Sequence, residues 1–504
     1  MADAPVGSPE WWLRRLHKEL IERRPALQLA TDYYDGSHNL SFQSKRFREA
    51  FGGLFDAFAD NWCEVVVDAS EERLNVEGFR VGDDVAGDTD AWRIWQANDM
   101  DGQSQLAHTD ALVGGISYVI PWVGDAKGMP EITVANGHDA IVECHPKRHR
   151  DRRAGLRVYR DEWGYDHAEL FLPDMVHMFR TAQPRADMNI VDAANTAWQT
   201  EGTMPNPLSV VPVIPLQNRP RTRHSRHGVI AQSEIRSIIP LQDAVNKLIA
   251  DMLVGSDKQA LPARWATGLE VPTDPQTNQP VKPQVDTASL LINESPEGSF
   301  GVFPAADLRN FTQGIDLLVQ HIASISRTPP HYLTASADRL SGESIKAAET
   351  GLVAKVRRKM RFFGEGWEES MRLAGRLAGN DRLGAAESME LIWSDPESRT
   401  ESQHVDAILK QKDLGVPEEI LWEKLGYSPQ EIARIKAIKA EEDVFASPEE
   451  IAAMQAAQAL AVGTYIRAGF DPKASAVAVL GPDEAKPLKH DGGVPITLKP
   501  NLGD

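Results

Sequence analysis

Residues 327–369 read RTPPHYLTASADRLSGESIKAAETGLVAKVRRKMRFFGEGWEE. Pro329-Pro330 must stop any helix arriving from upstream, because the residue before a proline is driven out of the helical region. Thr334, Ala335, Ser336, Ala337, Asp338, Arg339, Leu340 and Ser341 are small or polar, with one acid and one base. That run predicts a mobile loop. Ser341 or Ser344 can cap the next helix, expected over about 342–378. Ile345, Leu352, Val356, Met360, Phe363, Trp367 and Met371 mark its buried side. At ~1.5 Å per residue such a helix spans roughly 55 Å, and Gly364 and Gly366 give it a place to bend.

Upstream, Pro240 opens a helix whose face is Leu241, Val245, Leu248 and Met252. Residues 261–304 are rich in proline and turn residues with strand-like ends. A second helix then carries Phe311, Ile315, Leu318, Ile322 and Ile325 on one stripe. The order is therefore helix, small β-like insert, helix, loop, long helix.

Further out, Ser8-Pro9-Glu10 starts an N-terminal helix, Leu13, Leu16 and Leu20 continue it at helical spacing, and Pro25 is expected to end it. Residues 31–42 read as turn-rich and about 44–60 as helical. VVVDASEERLNVEGFRV reads as a buried run, a charged helix and a short strand. Residues 89–114 read as helical, and 115–215 as mostly strands separated by Gly, Asp and Pro. Beyond the long helix come a strand, MELIWSDP, and helices at about 399–414, PEEILWEKLG, SPQEIARIKAIKAEED and 448–468; the last 30 or so residues are expected to be poorly ordered. The fold class is α+β.

Bulk properties narrow the function. The 504 residues imply roughly three domains. With 42% hydrophobic and 25% charged residues, the chain has enough apolar material for ordinary cores. No apolar run approaches the ~20 residues of a membrane span, and MADAPVGSPEWWLRRLHKEL lacks the apolar core of a secretory signal. A cytoplasmic setting, or a particle assembled there, is expected. Cys63 and Cys144 are too far apart for a Cys-x-x-Cys site and read as buried free thiols. The formal net charge of -19 argues against a basic nucleic-acid-gripping face. It is compatible with plain acidic solubility, or with a conduit whose negative lining repels phosphate.

No phosphate loop, dinucleotide turn, zinc helix or nucleophile elbow is present. The acids from Asp83-Asp84 to Asp90 lack EF-hand spacing. His138, His145 and His149 near Cys144 match no common zinc pattern, and 145–153 reads as a hydrophilic loop. No catalytic residue, metal or cofactor is expected. Two basic clusters stand out: Arg219, Arg221, Arg223 and Arg226; and Lys355, Arg357, Arg358, Lys359 and Arg361 on the long helix. Such clusters are either solvated faces and local ion pairs, or contacts to DNA phosphates or an acidic face of a neighbouring subunit. The second reading is the expectation for the helix cluster, which comes directly after the loop.

The ordered segments LRRLHKELIERRPALQLATDYYDG, FREAFGGLFDAFADNWCEVVVDASEERLNVEGF and AWRIWQANDMDGQSQLAHTDALVGGISYV resemble those of portal proteins of tailed bacteriophages. The resemblance is to the SPP1-like portal family, in the form found in siphophages of actinobacteria. It continues through NPLSVVPVIPLQNRPR, SEIRSIIPLQDAVNKLIADMLV, residues 327–369, IWSDPESRTESQHVDAILK and LGVPEEILWEKLGYSPQEI, and covers most of 10–440. It implies a non-enzymatic ring, usually dodecameric, at one capsid vertex, the channel for double-stranded DNA packaging and ejection. It implies an α+β wing at 1–228 and a helical stem at 229–260 and 305–328, with a small β-containing clip at 261–304. A tunnel loop region at 329–341 would touch DNA at Thr334–Ser341. The long helix and strand at 342–398 would return to the wing, with an α-helical crown at 399–470 and a flexible tail at 471–504. Implied partners are further copies of the chain, the terminase large subunit, the head–tail adaptor, the major capsid protein and scaffold, and DNA without sequence specificity; no membrane is involved. The implied location is the virion, with assembly in the host cytoplasm. A different head–tail connector, or an enzyme with a dispersed site, is the alternative.

Overall fold

The computed structural model describes residues 4–38, 60–82, 87–125, 128–184, 197–222, 229–260, 264–267, 298–302, 307–333, 342–397 and 408–444, with isolated positions elsewhere. The expected helix at 44–60, most of the 261–304 insert, the loop 334–341 and the tail lie outside the described residues. The chain divides into two compact units, Met1–Leu409 and Lys410–Asp504.

In the first unit, Ser8 accepts a hydrogen bond from the Trp11 amide (3.3 Å) and Pro9 takes the first helical position of α1, Pro9–Tyr34. The helix runs through Pro25, contrary to the sequence expectation. An interior proline loses one backbone hydrogen bond and strains the preceding turn, at ~3 kcal/mol. Contacts on both sides outweigh that cost. Arg23 donates to the Tyr118 hydroxyl (3.1 Å) and Arg24 to the His138 carbonyl (3.0 Å). Leu27, Ala30 and Tyr33, on the C-terminal side of the proline, are buried. The expected turn at 31–42 therefore begins only at Asp35.

Next come α2 (Trp62–Glu71), β1 (Val76–Val81), α3 (Thr89–Ala97) and α4 (Met100–Gly114). The VVV run, read as a buried stretch ahead of a helix, lies inside α2, where Val66 and Val67 face the core. The single helical region expected at 89–114 is two helices. Asn98 breaks it by donating to the Ile94 and Pro130 carbonyls while accepting from Ile132 N, and Asp99 takes a left-handed φ of 52°. Gly115 (φ 91°) then lets α4 turn directly into a strand; a Cβ there would lie 2.9 Å from the backbone of Gln232.

Two antiparallel sheets come next. Strands β2 (Ile116–Val123) and β3 (Pro130–Asn136) pair, with β9 (Ile214–Gln217) on the other edge of β2. Strands β4 (Ala140–His145), β5 (Arg148–Arg160), β6 (Asp166–Phe171), β7 (Met175–Thr181) and β8 (Trp198–Pro205) form a five-stranded meander. Trp12, Leu13, Leu16 and Leu20 of α1 pack on Ile141, Leu156, Leu170 and Phe179 of this meander. Each such buried side chain is worth ~1.5–3 kcal/mol. The loop expected at 145–153 is instead the β4–β5 hairpin, with His145 opposite Arg148 and Cys144 opposite Arg152. Most of its polar side chains face solvent while its backbone stays in the ladder.

After the short strands β10 (Arg221–Thr222) and β11 (Val229–Ile230), helices α5 (Ile239–Ala260) and α6 (Arg309–Ser326) pack together. Between them in sequence, β12 (Arg264–Thr267) pairs antiparallel with β13 (Ser299–Val302). Gly301 lies against the Trp265 ring, where a Cβ would clash at 2.4 Å. The buried side of α6 is Val319, Ile322, Ala323 and Ser326; Ile325, placed on the stripe from sequence, is 53% exposed because the stripe turns away by the last turn.

A short helix, α7 (Pro330–Leu333), precedes the long α8 (Gly342–Leu377); α9 (Asp381–Gly384) and β14 (Met389–Trp393) complete this part, and β14 pairs with β1. Leu352, Val356, Met360, Phe363, Trp367 and Met371 of α8 are buried as expected, and Ile345 is half-buried. Trp367 meets Trp95 edge-on at 5.2 Å, and Phe363 stacks on His108. Gly366 serves close approach, since a Cβ there would reach 2.4 Å from Leu216 of β9. The second unit contains α10 (Glu418–Lys424) and α11 (Pro429–Val444), joined by Lys436–Glu419 and Lys439–Glu418 ion pairs and by Lys439 over the Trp422 ring.

Candidate functional site

The two ends that flank residues 334–341 are held by one side chain, Arg73, just beyond the C-terminus of α2. Arg73 donates to the Tyr332 hydroxyl (2.8 Å) on the upstream side, and its Nη2 lies 3.5 Å from Glu349 on the downstream side. His331 approaches the same Glu349 carboxylate at 3.7 Å. Leu333 and Leu352 are buried on the same two segments. The loop itself, Thr334 to Ser341, lies outside the described residues.

Behind it, α6 ends at Arg327, which adopts a left-handed φ of 57°. Lys355 of α8 donates to the last helical carbonyl, Ser326 O, at 3.0 Å. A cation at a helix C-terminus is favoured by the helix dipole. The Lys355 ammonium also lies 3.3 Å from Glu234, and Lys359, one turn on, donates to Glu234 (2.5 Å) and to Asn218 Oδ1 (2.8 Å). Asn218 in turn donates to Glu234 and to the Gln232 carbonyl. Burial works to raise the Glu234 pKa, but Lys359, Lys355 and Asn218 together outweigh it and hold the carboxyl well below the usual range. Burial lowers Lys359 to about 8 against the pull of Glu234, and lowers Lys355 as well. Two ammoniums share one carboxylate, so the group carries one excess buried positive charge. It ties three places together: the end of α6, the segment leading into α5, and the α8 helix beyond the loop.

The basic cluster expected on α8 therefore divides. Lys355 and Lys359 turn inward onto Glu234 and present no charge to solvent. Arg357 lies near Asp395 (3.5 Å) and Glu397 (3.6 Å). Arg358 stacks over Phe362, and Arg358 and Arg361 are exposed. In the other cluster, Arg219 has a φ of 49° and Arg221 is exposed on β10, while Arg223 and Arg226 lie outside the described residues. Arg73, Glu234 and Asn218 were not singled out from sequence. The signal present was the pair Lys355 and Lys359, one helical turn apart and flush with Leu352, Val356 and Met360. A lysine pair set into an apolar stripe needs a buried acid. Among the described residues no three His, Cys, Asp or Glu side chains converge to hold a metal. No helix among them is long and apolar enough to cross a membrane. Cys63 is buried, with its thiol pushed up to about 12; Cys144 is half-buried rather than buried.

The portal protein of Mycobacterium phage D29 is 34% identical over 379 residues, covering 72% of this chain and 75% of that protein. The portal protein of Mycobacterium phage L5 is 33% identical over 406 residues, covering 77% and 78%. Among solved structures, a chain from the neck of an empty GTA particle aligns with 75% of this chain and 95% of its own length (11% identity, TM-score 0.39). A chain from the neck of a native GTA particle, computed with C12 symmetry, aligns over 77% and 96% (10% identity, TM-score 0.39). The family described as phage portal protein, SPP1 Gp6-like, matches residues 13–444, and the chain belongs to it.

Proposed function

We propose that the chain is one of twelve copies in a ring at a single capsid vertex, lining the channel through which double-stranded DNA enters and leaves. The observation that carries this reading is the family match over 13–444. The helix pair α5–α6 supports it. Leu253, Leu317 and Ile325 are 38%, 53% and 53% exposed, and side-by-side packing around a ring covers such faces. In this reading α5 and α6 are the stem, and the segment holding β12 and β13 is the clip, which docks the terminase large subunit and later the head–tail adaptor. Residues 1–228 with 342–398 are the wing, toward capsid protein and scaffold, and 399–470 the crown. Thr334–Ser341 is the tunnel loop that touches DNA, and Arg73 links Tyr332 ahead of it to Glu349 on the helix after it. Assembly takes place in the host cytoplasm and DNA is bound without regard to sequence.

Native mass measurement with negative-stain imaging tests the ring. Twelve copies of the 55.6 kDa chain give about 670 kDa and a central hole. A monomer or dimer at every concentration and salt tried refutes it. Deleting Thr334–Ser341 should leave rings but abolish DNA packaging; undiminished packaging removes the loop's assigned role.

A further inference from the structure

A groove of about 850 Å³ runs between α8 and the β4–β5 hairpin. Six guanidiniums line it, from Arg150, Arg152, Arg358, Arg361, Arg372 and Arg376, against two carboxylates, Glu365 and Glu369. Arg150 and Arg152 occupy those carboxylates, at 3.4 and 2.7 Å. Arg358 and Arg361 are exposed and have no carboxylate within ion-pair distance among the described residues, while Arg372 acts on Glu368. From Arg358 to Arg376 the helix advances about 27 Å. Ile214 and Leu373 close its base and are themselves buried, Val210 is half-buried, and Phe362 stands 39% exposed at the edge. A strongly basic groove is an anomaly in a chain of net charge -19.

We infer that this groove receives an acidic face of a second copy of the chain. The inference rests on the ring reading. In a closed ring each copy presents two different faces to its neighbours. Copies this acidic repel one another through their net charge, and a basic face set against an acidic one lowers that cost. The groove supplies that face, and the exposed Phe362 beside its arginines offers a polypeptide surface an apolar contact. A nucleic-acid backbone offers phosphates but nothing apolar to set against that phenylalanine. The groove thus sets the relative orientation of neighbouring copies through charge, leaving the apolar faces of α5 and α6 to supply affinity.

The test compares the wild-type chain with Arg358→Glu/Arg361→Glu, both exposed positions, by native mass measurement across protein concentration and salt. Circular dichroism checks that the variant is folded. The expected result is a shift of at least about tenfold in the concentration needed for assembly, since like charges brought together cost well over the ~1.4 kcal/mol that tenfold requires. Wild-type assembly should itself weaken as salt rises. As a second measurement, Arg361→Lys places an amine in the groove. In rings mixed from isotopically light and heavy chains, carbodiimide should link that amine to a carboxylate of the other isotope. Unimpaired assembly of the charge-reversed variant, or links only within one chain, overturns the inference. So does normal assembly combined with lost binding of a short DNA duplex, which makes the groove a nucleic-acid site. A wild-type chain that never assembles overturns the ring reading itself, and the inference with it; wild-type rings with unaffected variant rings overturn the inference alone.

Discussion

Replacing Glu234 by glutamine removes the carboxylate shared by Lys355 and Lys359 while keeping size and one acceptor. The side chains of Glu234 and Lys359 are 2% and 3% exposed, and that of Lys355 is 11%, so water cannot take over the lost charge. Breaking a buried ion pair by removing one partner costs about 3–5 kcal/mol. An unfolding entropy of about 2.1 cal/mol/K per residue gives a unit of this size about 0.9 kcal/mol/K. The melting temperature of the first unit should therefore fall by about 3–6 °C, measured with wild type and variant in the same oligomeric state. Amide exchange should quicken most at the end of α6, where Lys355 holds Ser326 O, and in residues 232–242 leading into α5. Glu397→Gln is the control: its partner Arg357 is about half exposed, and such pairs are worth under ~1 kcal/mol. Equal, small shifts for Glu234→Gln and Glu397→Gln would refute the reasoning, because burial would then make no difference to the value of the charge.

Arg73→Ala should leave the first unit folded but raise protease cleavage and amide exchange between residues 329 and 349, by removing the contacts to Tyr332 and Glu349; limited proteolysis reads this directly. Pro25→Ala should stabilise by about 2 kcal/mol in chemical denaturation, since it restores a hydrogen bond within α1 and removes strain, less the entropy the proline withdrew from the unfolded chain. His108 is fully buried, accepts from the Trp367 indole at 2.9 Å, and is lowered by burial to about 3. Below its ordinary value of 6.5 the unfolded chain binds a proton that the folded chain refuses. Relative to His108→Gln, the wild type should thus lose about 1.4 kcal/mol per pH unit as pH falls from about 6.5 toward about 3, measured by denaturation at stepped pH; parallel pH curves would contradict a neutral buried imidazole.

Local patterns determined much of this protein. Apolar spacing at three and four residues placed α8 and most of its buried face, and Pro329-Pro330 together with Pro240 bracketed the α5–α6 pair. The Ser8-Pro9 start of α1 came from capping chemistry alone. Ordered segments across 10–440 pointed to the portal family without any catalytic motif. These features are legible because they depend on neighbours in sequence. The features that tertiary structure decided depend on partners far along the chain. Pro25 stays helical because Arg23, Arg24, Leu27 and Tyr33 find partners elsewhere. Residues 145–153 are a hairpin because β4 supplies their hydrogen bonds, although nearly all their side chains are polar or charged. The lysines at 355 and 359 look the same in sequence as the arginines at 358 and 361. Only the fold brings Glu234, more than a hundred residues away, under the first pair and leaves the second pair facing a groove, because burial and charge pairing are set by distance in space and not by order along the chain.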